Sequence, residues 1–172
     1  HRRMGKTEIF KRVVNRLFFE QDHRDPQAVV PVFFTFPDEI ISRKEFALDY
    51  VENFIRWYAA FRLRDLSVFS VPKYRHELFD TLKQRMTISE GFAIAFDLLS
   101  AIERDGATLP SKQALYLPRE ISDYDDSTIV MFLDELQNTY LPEYSFRVVG
   151  FMQEAVESPT CPHFVTGSAM SI

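Results

Sequence analysis

The spacing of apolar positions along the chain predicts an alternation of helices and strands. From Thr7 to about Phe19, apolar residues recur at intervals of three and four, which is typical of an amphipathic helix. Continuous apolar runs at Ala28 to Phe36 and at Thr128 to Leu133 instead suit strands that are buried on both faces. A third, shorter strand is expected at His163 to Thr166. Strands that alternate with helices in this way predict a parallel sheet in a three-layer α/β fold.

The long segment between the first two apolar runs carries helix signals. Ser42 and Glu45 fit a capping box, and an apolar stripe from Phe46 to Phe61 follows them. Further helices are predicted over residues 74–86, 90–104 and 145–157. Residues 107–127 contain two prolines and an acidic cluster, so we expect a loop there.

A chain of 172 residues, 46% of them hydrophobic and 15% aromatic, has enough apolar surface for one globular domain. Its net charge of −5 gives no support to nucleic acid binding through bulk electrostatics. No apolar run approaches the ~18 residues that would span a bilayer, so no membrane segment is expected. The single cysteine, Cys161, excludes an internal disulfide and suits a reducing compartment, from which we expect a cytoplasmic location.

The strongest chemical signal is the N-terminal segment His1 to Thr7, which reads HRRMGKT. It matches the Walker A motif GxxxxGK(S/T) except for the first glycine. Backbone N–H groups of such a loop close around the β-phosphate of a nucleotide, and the following helix adds the positive end of its dipole. Lys6 would reach the β- and γ-phosphates, and the Thr7 hydroxyl would be a ligand of Mg²⁺. The residues that we assign to nucleotide binding are Arg3, Met4, Gly5, Lys6, Thr7 and Glu8.

A second signal is the pair of carboxylates that follows the run TIVMFL, as in a Walker B motif. A buried strand would carry Asp134 to the carboxyl edge of the sheet, where it can hold Mg²⁺ directly or through water. Glu135 would orient or polarise the water that attacks the nucleotide. The alternative is an exposed acidic turn after a core strand. The GKT sequence upstream favours the nucleotide interpretation.

A third signal is the sequence Thr166-Gly167-Ser168 at the end of the last strand. A polar residue there can contact the γ-phosphate or the attacking water, so Thr166 is the first candidate and Ser168 the second. A hydroxyl at the end of a strand is more often a turn cap, and this alternative stays open. Taken together, the three signals predict ATP and Mg²⁺ as the cofactors.

In this order, the segments RRMGKT, FLDELQ and HFVTGS resemble the archaeal-type ATPase branch of the STAND class of P-loop NTPases, relatives of the AAA+ proteins. The resemblance implies an ASCE-type P-loop domain with five parallel strands in the order 5-1-4-3-2. The first strand and the missing glycine would precede His1, so we expect residues 1–172 to be a partial ATPase domain, truncated at both ends and a poor enzyme alone. Residues from about 40 to 127 would be a helical insertion between the second and third strands of that sheet.

The resemblance implies an ATP-binding, Mg²⁺-dependent switch that hydrolyses ATP and acts on attached domains or on a protein partner outside this chain. A nucleotide-holding scaffold without useful hydrolysis is the alternative, and a P-loop kinase is a weaker one. A GTPase is disfavoured because the chain has no NKxD sequence, and because Gln137 stands where a DxxG switch needs glycine. The histidines are scattered and lack the spacing of zinc ligands.

Overall fold

Helices and strands alternate along the chain in the computed structural model, which describes residues 2–39, 42–71, 75–144 and 146–167. Side chains are described for the same residues except 2–4, 75 and 76. The α-helices of this part of the chain are α1 (Arg2–Glu20), α2 (Arg43–Leu63), α3 (Arg75–Lys83), α4 (Glu90–Glu103), α5 (Pro110–Asp125) and α6 (Val148–Val156). The strands are β1 (Val29–Thr35), β2 (Thr128–Asp134) and β3 (His163–Val165), and two 3₁₀ helices span Leu66–Ser70 and Leu136–Tyr140.

The three strands form one parallel sheet in the order β1-β2-β3. Val29 pairs with Thr128 and Thr35 with Asp134, so β1 and β2 run side by side over their whole lengths. The short β3 pairs with the second half of β2. The predicted strands and the parallel α/β class are therefore confirmed. Because the strands are parallel, the carboxyl ends of β2 and β3 meet at the same edge of the sheet.

Helices cover both faces of this sheet. On one face lies α1, whose Val14 packs against Val130 and Phe132. On the other face lie α2 and α5, and the ring of Phe34 meets that of Tyr50 with centroids 4.9 Å apart. The larger hydrophobic core lies on this second face. None of the described helices has the length and apolar composition that crossing a membrane requires.

The outer edge of β1 is capped by a side-chain amide. The N–H of Phe36 donates to the carbonyl oxygen of Asp134 at 3.0 Å. The backbone N–H and C=O groups of even-numbered residues in β1 therefore point towards β2, and those of odd-numbered residues point away from it. Pro31, which has no N–H, therefore lies where the ladder needs no donor. Gln21 accepts from the N–H of Val29 at 2.9 Å and donates to its carbonyl oxygen at 2.7 Å. This pairing satisfies the outward N–H and C=O groups of Val29, at the start of the edge.

Hydroxyl caps begin two helices of the segment between β1 and β2. The Ser42 Oγ accepts from the N–H of Glu45 at 3.1 Å, which confirms the predicted start of α2. The Ser89 Oγ accepts from the N–H of Phe92 at 3.0 Å and caps α4. The helices predicted over residues 74–86, 90–104 and 145–157 are also present, although α3 ends at Lys83 and α6 begins at Val148.

The prediction of a loop over residues 107–127 is wrong, because α5 occupies most of this segment. Pro110 is the first residue of α5, a position where a helix needs no N–H donor. Pro118 lies inside the helix and is buried, and Leu115 and Ile121 are fully buried on the same helix. Since α5 packs against α2, α4 and α6, burial of its apolar face outweighs the cost of the internal proline.

Replacing Asp125 by alanine should destabilise the contact between the end of α5 and the start of α4. Its Oδ2 accepts from the Ser89 hydroxyl at 2.7 Å, and its Oδ1 accepts from the N–H of Gly91 at 3.1 Å. Losing both bonds should lower the free energy of unfolding, measured by urea denaturation, by about 1–2 kcal/mol. The control Asp97→Ala removes an exposed carboxylate from α4 and should change it by less than about 0.5 kcal/mol. Equal losses in the two variants would contradict the capping role.

Candidate functional site

The carboxyl edge of the sheet joins a hydroxyl and a carboxylate that lie 127 residues apart in the sequence. The Oγ1 of Thr7, in α1, donates to the Oδ2 of Asp134, the last residue of β2, at 2.9 Å. Asp134 is only 3% exposed, and a buried carboxylate is costly unless hydrogen-bond donors surround it. The two residues predicted as metal ligands are therefore in direct contact.

The second oxygen of Asp134 is held by the backbone of the next residue. The N–H of Glu135 donates to Oδ1 at 2.9 Å. Glu135 has a left-handed backbone conformation, with φ 61° and ψ 39°, and it leads the chain from β2 into the 3₁₀ helix Leu136–Tyr140. For a residue with a side chain this conformation costs roughly 1–2 kcal/mol. Strain of this kind concentrates at functional sites, where the surrounding structure enforces it.

Thr166 follows β3 and lies at the same edge as Asp134. Its N–H donates to the carbonyl oxygen of Leu133 at 2.9 Å, and its own carbonyl oxygen accepts from the N–H of Leu136 at 3.0 Å. The residue is 6% exposed, and within the part of the chain that the structure describes its Oγ1 has no hydrogen-bond partner. Because buried polar atoms are nearly always satisfied, this hydroxyl is a candidate contact for an external group.

Gly167 allows the end of β3 to approach the segment that follows β2. A Cβ at this position would lie 2.4 Å from the Oε1 of Gln137 and 3.2 Å from the backbone nitrogen of Leu136. A larger residue would have to displace the flexible side chain of Gln137 and would press on the backbone nitrogen of Leu136. The glycine of the TGS sequence therefore has a steric role, which the sequence did not reveal because the contact with Gln137 joins distant segments.

A row of three aromatic rings fixes α1 against the sheet. The ring of Phe10 meets that of Phe132 edge-on, with centroids 5.4 Å apart, and Phe132 stacks on Phe164 at 5.6 Å. Phe10 lies about one helical turn after Thr7, so this packing sets the position of the Thr7 hydroxyl over the sheet edge. Sequence reasoning missed the row, because the three residues belong to three separate elements and share no local spacing.

The other predicted site residues lie along α1 or beyond the described segments. Gly5, Lys6 and Glu8 are in the first turns of α1 and are exposed. Arg3 and Met4 belong to the same helix, and their side chains are not among those that the structure describes. Ser168 lies outside the described residues. The structure thus joins Thr7 with Asp134 and leaves Lys6 free to reach into solvent.

The N-terminal segment differs from expectation, because α1 begins at Arg2 instead of Thr7. Residues 2–6 are helical and do not form an open loop. Arginine, methionine and lysine are strong helix formers, and the only weak one, Gly5, does not have a positive φ. The first four N–H groups of a helix have no acceptor within it, so residues 2–5 present donors beside the positive end of the helix dipole.

Two titratable side chains at the start of β3 are uncharged at neutral pH. The Nδ1 of His163 lies 2.9 Å from the carbonyl oxygen of Cys161, and burial lowers the pKa of the imidazole, which keeps it neutral. Burial raises the pKa of the Cys161 thiol to about 12, so this thiol is protonated and unreactive. The described residues contain no group of three or more His, Cys, Asp or Glu placed to hold a metal ion. The Thr7 and Asp134 oxygens are two described groups at this edge that could hold a metal ion.

Comparison of the chain with protein-family models, with curated proteins and with solved structures finds no match. The candidate site therefore rests on contacts within the chain. These are the hydrogen bond from Thr7 to Asp134, the strained backbone of Glu135 and the buried hydroxyl of Thr166.

The strain at Glu135 predicts that two substitutions at this position differ in stability. Glu135→Gly and Glu135→Ala both remove the carboxylate, but only glycine adopts a left-handed conformation without a steric penalty. We expect Glu135→Gly to be more stable than Glu135→Ala by about 1 kcal/mol in thermal or urea denaturation. Because both variants lose the same side-chain contacts, those losses cancel in the comparison. If the alanine variant proved more stable than the glycine variant, the backbone of Glu135 would not be strained, because glycine loses more conformational entropy on folding.

Proposed function

We propose that this edge of the sheet binds ATP with Mg²⁺ and that the chain is the switch domain of a P-loop ATPase of the STAND type. The observation that carries the proposal is the 2.9 Å hydrogen bond between Thr7 and Asp134. In P-loop NTPases, a Ser or Thr hydroxyl after the lysine and a Walker B aspartate hold Mg²⁺ together. Both are oxygen ligands, the type that Mg²⁺ prefers, so the residues present fit this ion.

The order of the strands supports the same proposal. The order 5-1-4-3-2 puts the second, third and fourth strands of such a domain side by side, and β1, β2 and β3 lie in that sequence. With right-handed crossovers, the same order places the first helix on one face and the following helices on the other. The division between α1 on one face and α2 and α5 on the other agrees with it.

Each side chain at this edge has a separate task in the proposed reaction. Bound ATP supplies a transferable γ-phosphoryl group, and Mg²⁺ neutralises part of its charge. Lys6, exposed in the first turns of α1, reaches the phosphate oxygens. Glu135 orients the attacking water, and Thr166 donates its buried hydroxyl to the γ-phosphate or to that water.

Binding of the phosphates requires a change at the start of α1. In a helix, the N–H groups of Lys6 and Thr7 donate to carbonyl oxygens four residues earlier. To surround a phosphate, residues 2–6 leave the helix and expose these donors. Gly5 makes this change feasible, because glycine can adopt backbone conformations that residues with a side chain disfavour.

Substitution of Thr7 tests the proposed metal site in the complete protein. We expect Thr7→Val to weaken Mg²⁺-dependent ATP binding, measured by isothermal titration calorimetry, by roughly tenfold or more, because the variant leaves the carboxylate of Asp134 without its hydroxyl partner. Thr7→Ser keeps the hydroxyl and should bind like the wild type. The control Thr87→Val removes an exposed threonine hydroxyl before α4 and should have no effect. Wild-type affinity in a folded Thr7→Val variant would rule out this site.

Substitution of Glu135 separates hydrolysis from binding. In the complete protein, Glu135→Gln should keep ATP binding but slow the formation of ADP by about 100-fold or more, since glutamine cannot accept a proton from water. Unchanged turnover would show that Glu135 does not position the water. If the wild type bound ATP but formed no ADP, the nucleotide-holding scaffold would replace the ATPase.

A further inference from the structure

An apolar groove of about 470 Å³ runs along α1 at the open edge of β1. It lies on the same face of the sheet as α1 and is separate from the contact between Thr7 and Asp134. Its apolar lining consists of Val14, Phe18, Phe19, Phe33, Trp57 and Leu66. Pockets of this volume are typical of sites for small ligands.

The walls of the groove are apolar and accessible. Phe19 is 46% exposed and Leu66 is 52% exposed, and they approach the groove from α1 and from the 3₁₀ helix Leu66–Ser70. The floor is well packed, since Phe18 is 2% exposed and its ring lies 6.2 Å from that of Trp57. Trp57 is in turn held edge-on by Phe69, with centroids 5.0 Å apart. A rigid floor with exposed apolar walls is a feature of binding sites.

Two cations lie along the α1 side of the groove. Lys11 and Arg12 line it and are exposed, and neither forms an ion pair with a residue that the structure describes. By contrast, Arg16 on the same helix is paired with Glu20 at 2.7 Å. Because the chain as a whole carries a net charge of −5, this pair of cations is a local feature of an acidic chain.

We propose that the groove binds a single-chain amphiphile with a carboxylate head, such as a medium- or long-chain fatty acid. Its apolar chain would lie over Phe18 and Trp57, and its carboxylate would meet Lys11 and Arg12. The cations select an anionic head, and burial of the chain supplies the affinity. A second copy of this chain, docked symmetrically at the same groove, would bring the same two cations against each other.

Trp57 provides a direct measurement, because it is the only tryptophan of the chain. Decanoate, titrated below its micelle concentration into the 172-residue chain, should shift the tryptophan emission in a saturable manner. Octanoate should bind more weakly, by up to about fourfold for each methylene removed. Decyltrimethylammonium has the same apolar chain with a cationic head, and it should bind more weakly than decanoate.

Two pairs of matched variants assign the binding to this groove. The double substitution Lys11→Gln and Arg12→Gln should weaken decanoate binding by roughly 2- to 30-fold and should reduce the preference over decyltrimethylammonium. Arg16→Gln removes a charge from the same helix outside the groove. It should leave the affinity for decanoate and the preference over decyltrimethylammonium unchanged. Leu66→Ser should weaken binding of both amphiphiles, whereas Leu109→Ser, at a leucine of similar exposure before α5, should not.

Four results would overturn the proposal. The first is the absence of a saturable change with decanoate in a chain shown to be folded by circular dichroism. The second is equal binding of decanoate and decyltrimethylammonium, which would indicate an apolar patch without head-group selection. The third is an equal loss of decanoate affinity in Arg16→Gln and in the double variant. The last is a shift of the tryptophan emission with protein concentration alone, accompanied by dimers in sedimentation, because the groove would then be an interface between copies.

Discussion

Strand β2 is the constraint on which the rest of the structure depends, because six of its seven residues are buried and both of its edges are paired. A strand that is apolar on both faces requires a helix layer on each side. That requirement places α1 on one face and α2 and α5 on the other. It also means that β2 can end in a polar residue only if partners meet that residue at the sheet edge. Asp134 is this residue, and Thr7 and the backbone of Glu135 are its partners.

The sheet edge combines two features that cost free energy. Elsewhere β1 and β2 pair residue by residue and the caps of α2 and α4 are satisfied. At the edge, Glu135 adopts a left-handed conformation and the Thr166 hydroxyl is buried without a partner among the described residues. Left-handed residues also occur at Arg64, Asp105 and Asp126, where helices end, and Tyr50 and Ser127 also bury hydroxyls without a described partner. The sheet edge differs because there both features lie beside a buried carboxylate, Asp134, that meets a hydroxyl from a distant helix.

The sequence predicted those elements whose own residues decide their structure. The apolar runs of β1 and β2 and the cap at Ser42 need no information from elsewhere in the chain. Two predictions failed where tertiary packing competes with local preference: Pro118 is tolerated because α5 is buried among other helices, and α1 extends to Arg2 through good helix formers. Within the site, motif spacing identified Thr7 and Asp134, but their contact and the fit of Gly167 against distant residues are properties of the fold.

Helix α1 joins the two sites that the structure suggests. It meets the sheet through a narrow stripe that includes Phe10 and Val14, so most of its circumference is exposed. A helix buried on all sides can present few groups to a ligand, whereas a helix held along one stripe can present both an end and a flank. The end of α1 brings Thr7 to the carboxylate of Asp134, and one flank brings Lys11 to the apolar groove. The packing of Phe10 on Phe132 positions Thr7 at the sheet edge, and it therefore also positions the α1 side of the groove.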